Sequence, residues 1–250
     1  VTVVVFEFGV MRCQPLRRAL SCKGEFMSID LSSNRIKGKF ESLKHSQSYK
    51  DTKTLEAKGA SIVQALNKER ASSLFGSESL RIRCVEFFRD VEDWKYGMEK
   101  GCRGSYYTRY FDEITPSKAW DVLDRVSEQF NRDPNDTYAL LKILNEVKGM
   151  GNVRLNQNND HASQKVASSF LRIMYPEKFG VVDWRVASVI NNESGSRQKL
   201  KNKYNKIYAS EASELIDFYR EKGKAVGMRA ADVEMTIFSI SLEVWPEKTT

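Results

Sequence analysis

An all-α domain is the fold this sequence predicts, and three observations predict it. Apolar residues recur at helical spacing along most of the chain, alternating strand-like runs are nearly absent after residue 54, and turn signals stand between the periodic stretches. Roughly eight to ten short helices with short connections follow, an orthogonal array rather than a long bundle. The 250 residues suffice to bury a core without disulfide or metal staples.

Residues 1–26 carry two readings. They are either sequence upstream of a start at Met27 or a short strand from Thr2 to Phe8 docked on the domain. Residues 28–53 are polar and short of large apolar groups, so residues 1–53 are expected to form a poorly ordered or partly non-native N-terminal arm, with the helical domain running from 54 to 250. Leu55, Ile62, Val63 and Leu66 make one helical stripe, and Leu80, Cys84, Phe87, Phe88 and Val91 make the next. Thr115-Pro116-Ser117 reads as a helix start with proline in the first turn, after which Trp120, Leu123 and Val126 face a core. Asp133-Pro134-Asn135 is a turn, and Tyr138, Leu141, Leu144 and Val147 continue on a helix that Lys148-Gly149-Met150-Gly151 ends. Further helices are expected from about His161 to Met174, Trp184 to Ile190, Ser210 to Glu221 and Ala230 to Leu242.

Composition narrows the function classes. The net charge of +7 favours an anionic partner, nucleic acid first. The four cysteines, Cys13, Cys22, Cys84 and Cys102, form no Cys-x-x-Cys pair, and there are two histidines. Neither a zinc site nor an iron–sulfur cluster is expected, and no cofactor is implied. The thiols read as a reduced cytosolic set. No apolar run approaches the roughly 18 residues of a membrane span, so a cytoplasmic or nucleoid-associated protein is expected.

Three short segments carry chemistry. The first is Lys148-Gly149-Met150-Gly151, where a Gly-x-Gly between helices permits a tight hairpin with positive φ. Amides exposed there can hold a DNA phosphate without reading a base, although a plain glycine helix cap accounts for the tripeptide alone. The second is Lys165-Val166-Ala167-Ser168-Ser169-Phe170-Leu171, a helix with small residues on one side. The third is Phe179-Gly180-Val181-Val182-Asp183-Trp184-Arg185, which sets Asp183 at the N-cap of a helix after an apolar lead-in. A capping role for Asp183 is complete on local chemistry.

Taken in order, hairpin, small-residue helix and apolar lead-in ending in Asp at a helix start, residues 135–192 resemble the helix-hairpin-helix DNA glycosylase superfamily. The resemblance implies DNA N-glycosylase activity on duplex DNA, a base-excision repair function. It implies that Asp183 promotes cleavage of the base–sugar bond. Lys165, just before Val166-Ala167, matches the lysine that forms a Schiff base in members that also nick the strand. It further implies DNA contacts at Gly149, Gly151, Asn152 and Arg185. Asn152–Gln164 stand between the Gly-x-Gly and the lysine. Either the hairpin carries an inserted loop, or Lys165 belongs to another helix. Trp94, Tyr96, Tyr106, Tyr107, Tyr110 and Trp120 are the aromatic candidates for stacking a flipped base. Two rival functions remain: a non-catalytic DNA-binding module that keeps the fold, and a helical protein-interaction domain. The basic run Arg197, Lys199, Lys201, Lys203 and Lys206 serves the first as a phosphate track and the second as a solvated face.

Overall fold

The computed structural model describes residues 29–72, 76–96, 111, 113–150 and 162–246. Ten helices make up the secondary structure of those residues: α1 (Ser33–Leu43), α2 (Gln47–Ala71), α3 (Glu78–Tyr96), α4 (Pro116–Arg132), α5 (Thr137–Leu144), α6 (Ala167–Met174), α7 (Trp184–Ile190), α8 (Arg197–Lys203), α9 (Ala209–Val226) and α10 (Ala230–Val244). The all-α expectation holds. None of these helices is long and apolar enough to cross a membrane. The Thr2–Phe8 strand reading, and the residues Tyr106, Tyr107, Tyr110, Gly151 and Asn152, lie outside the described residues.

Local chemistry explains most of the helix starts. The Thr115 side chain accepts the Lys118 amide with Pro116 in the first turn, Asp136 accepts the Ala139 amide, and Asp183 accepts the Arg185 amide. The expected arm needs correcting from Ser33 onward. Ser32 and Ser46 cap α1 and α2, and Ile36 and Leu43 are buried against the core. A stretch this polar still folds because its few large apolar groups, Ile36, Phe40 and Leu43, fall on one helical face. Helix α5 stops at Leu144, earlier than expected, and α6 begins only at Ala167, later than expected. Turns occupy the difference on both sides.

The helices pack in two groups joined where α5 meets α9. Helix α2 lies against α3, α4 and α6, while α10 lies against α1, α7 and α9, and α5 joins α4, α6 and α9. An aromatic cluster fills the first group. The Phe170 ring stands 4.8 Å from Phe88 and 5.7 Å from Phe111. A buried ionic network ties α2 to α6 and α10. Glu56 accepts from Arg172 at 2.8 Å and from Arg229 at 2.7 Å. Burial alone would raise the pKa of Glu56, but the Arg172 and Arg229 guanidiniums and Lys53 hold it below the usual value. Such a network is stable only while every member is present, since removing one partner strands a buried charge.

Candidate active site

The hairpin question comes first, because it decides where Lys165 stands. Gly149 sits in the turn after α5 with φ of 98°, a conformation that favours glycine. Buried amides join the end of α5 to the turn before α6. Asn145, the residue that ends α5, donates through Nδ2 to the Gln164 side-chain carbonyl at 2.7 Å and to the Leu141 carbonyl at 2.8 Å. Gln164 in turn donates to the Ala162 carbonyl at 2.8 Å, and its backbone amide donates to the Ile207 carbonyl at 2.8 Å. Gln164 is fully buried. The clamp joins the end of α5 to the turn that precedes α6. Lys165 stands in that turn, two residues before α6 begins.

Asp183 reaches the same place from the other direction. Its loop is pinned along its length. The Pro176 and Glu177 carbonyls accept the Ala231 and Ala230 amides, at 3.0 and 3.4 Å. Arg220 donates to the Lys178 carbonyl at 2.9 Å and lies over the Phe179 ring, and the Tyr219 hydroxyl donates to the Val181 carbonyl at 2.9 Å. At Gly180 the backbone runs directly onto α9 and α10. A Cβ there would lie 2.5 Å from the Glu234 Cβ and 2.7 Å from the Tyr219 ring, so glycine is required for the approach rather than for its dihedral freedom.

One side chain links the two segments. The Ser168 hydroxyl accepts the Val182 amide at 3.1 Å and donates to the Lys165 carbonyl at 3.3 Å. The residue before Asp183 is thus bonded, through a buried serine, to Lys165 itself. Both site side chains are half-buried, and they sense each other electrostatically. Burial depresses the Lys165 pKa, the Asp183 charge opposes that shift, and Lys201 adds to it. The Asp183 carboxylate also accepts the Arg185 amide at 2.9 Å, so it caps α7 while its charge acts on Lys165. Capping and site geometry coexist in one residue.

Two further titratable groups surround the pair, and sequence reasoning passed over both. Lys95 on α3 is buried, which lowers its pKa to about 8, with the Asp183 and Glu234 charges opposing and Lys165 reinforcing the shift. Glu234 on α10 is completely buried, which raises its pKa to about 7, against the opposing pull of Arg172, Lys95 and the Val181 amide. The Arg172 Nε lies 3.8 Å from Glu234 Oε2. A signal existed for each. Lys95 follows Val91 by one helical turn on the apolar stripe of α3, and Glu234 lies between Ala230 and Ile237 on the buried face of α10.

Other expected site residues fall elsewhere. Arg185 does not face solvent. It is 3% exposed, its Nη1 donates to the Trp245 carbonyl at 2.6 Å, and its guanidinium lies over the Trp184 and Phe238 rings. Its charge is committed to holding α7 against the end of α10, which corrects the expectation of a DNA contact there. Trp94 donates to the Thr52 hydroxyl at 3.0 Å and packs under Arg172, while Trp120 packs under Arg81 and against Gly76. Both are engaged in packing. Comparison with protein-family models, with curated proteins and with solved structures finds no match.

Proposed function

We infer that this chain is a DNA base-excision glycosylase with a lyase step carried by Lys165. The observation that supports this most directly is the Ser168 bridge, which joins the backbone of Lys165, whose pKa burial lowers, to the backbone just before Asp183. In this reading the Asp183 carboxylate stabilises the positive charge that develops on the sugar as the base–sugar bond breaks. The base departs with the bonding electron pair and takes up a proton. The neutral Lys165 amine then forms a bond to the sugar C1′ and gives up one proton, matching the one the base takes up; the C1′–O4′ bond breaks, O4′ receives the second amine proton, and an imine is left. Burial and the neighbouring Lys201 both favour the neutral amine that this step needs.

The test is a panel of duplex oligonucleotides carrying oxidised, deaminated and alkylated bases. Wild-type protein should release a base from at least one and leave a borohydride-trappable adduct. Asp183→Asn keeps the capping acceptor and should lose most of the excision rate. Lys165→Gln should abolish trapping while duplex binding persists. If the wild type releases nothing and traps nothing across the panel, the catalytic reading fails for those substrates. The non-catalytic DNA-binding module then stands in its place. That second reading draws on the packing roles of Trp94 and Trp120, each of which lies under an arginine.

A further inference from the structure

The basic helix α8 is stitched to the candidate site. The Ile207 carbonyl, just beyond α8, accepts the Gln164 amide next to Lys165, and α8 packs on α7, the helix that Asp183 caps. Its cations divide by helical periodicity. Leu200 and Tyr204, one turn apart, point inward and are buried. Lys199 and Lys203, also one turn apart, share one flank, and Arg197 with Lys201 share the other.

The two flanks differ in charge balance. Glu193 stands at the first. It pairs with Lys203, accepts the Tyr204 hydroxyl at 3.1 Å, and is held below the usual carboxylate range first by the Lys203 hydrogen bond, with Lys199 contributing. At the second flank no ion pair forms to Arg197 or Lys201 among the described residues. Lys201 is exposed, and its charge is felt at Lys165. A cationic face that lacks an internal counter-ion and borders the candidate site has the chemistry of a phosphate contact.

We propose that the Arg197–Lys201 flank of α8 holds the sugar–phosphate backbone of the DNA strand whose nucleotide enters the Lys165–Asp183 site, while the Lys199–Lys203 flank, where Glu193 pairs with Lys203, does not. This rests on the DNA reading above and specifies the strand path within it.

The experiment titrates a fluorescent duplex with the full chain at rising salt and reads the slope of log affinity against log salt. Each phosphate contact contributes about 0.9 to that slope in duplex DNA. The double variant Arg197→Gln, Lys201→Gln should flatten the slope by about 1.8 and weaken binding at low salt. The double variant Lys199→Gln, Lys203→Gln should leave the slope near wild type, and the charge-preserving Arg197→Lys, Lys201→Arg should restore it. Equal flattening by both glutamine variants, or none by either, overturns the flank assignment while DNA binding itself stands. No binding of wild type at low salt overturns the DNA reading, and the flank assignment with it.

Discussion

Replacing Glu234 by glutamine removes an ionisable group from beneath the Asp183 loop while keeping its shape. The carboxyl is completely buried, faces Arg172, Lys95, Tyr219 and Asp183, and has its pKa raised from 4.5 to about 7. Between those two values the folded protein keeps a proton that the unfolded chain has released. The stability this group contributes is therefore present in full below about 4.5 and is lost as pH rises through about 7. At roughly 1.4 kcal/mol per pH unit, the rise corresponds to about 3 kcal/mol. Glutamine has no such dependence. The stability of Glu234→Gln relative to wild type should thus climb by about 3 kcal/mol from about pH 4.5 to about pH 7.5, whatever its absolute value at either end. Lys95, with its pKa near 8, stays mostly protonated in that window, about a quarter being neutral at its upper end. Urea denaturation followed by circular dichroism at a series of pH values reads the difference directly. A difference that stays flat within about 0.5 kcal/mol, or that falls with pH, refutes the reasoning.

Three other substitutions follow from the same geometry. Gly180→Ala forces a Cβ to within 2.5 Å of Glu234 and should cost about 1–3 kcal/mol in thermal or chemical unfolding, with any base release falling further because Asp183 shifts. Gln164→Ala opens the buried clamp and leaves one Asn145 side-chain N–H without its acceptor, so a loss of about 1–3 kcal/mol is expected in denaturant titration, together with a drop in borohydride trapping. Asp183→Asn should leave stability within about 0.5 kcal/mol of wild type by the same denaturation assay, because asparagine caps a helix nearly as well.

Much of the scaffold was legible because its signals are local. Asp183 before an apolar run predicts α7 over Trp184–Ile190, and Thr115-Pro116 predicts the start of α4, since caps and proline act within one turn. Helix α1 was missed because composition outweighed periodicity: the serine cap and the Ile36, Phe40, Leu43 spacing were there to be read. Arg185 was misplaced because its partner, the Trp245 carbonyl, lies 60 residues away and no local pattern points to it. Lys165 and Asp183 were legible as types in an order. The Ser168 bond that brings their segments together was not, because a serine on a small-residue face reads as a packing residue. Lys95 and Glu234 broke apolar stripes, which marked them as costly groups, but only tertiary structure shows that they surround the same carboxylate.

The Asn145–Gln164 clamp also bears on how such a chain can change over evolutionary time. With both ends of the connection anchored, the position of the amine does not depend on how many residues join them. Loop closure costs grow only by about 0.6 kcal/mol for each doubling of length. Insertions and deletions between the anchors are therefore nearly neutral, and a spacing rule counted from Gly149 to Lys165 would discard chains that keep the same arrangement. A search for distant kin should weight the amide pair and the serine that follows it, and leave the gap between them unconstrained.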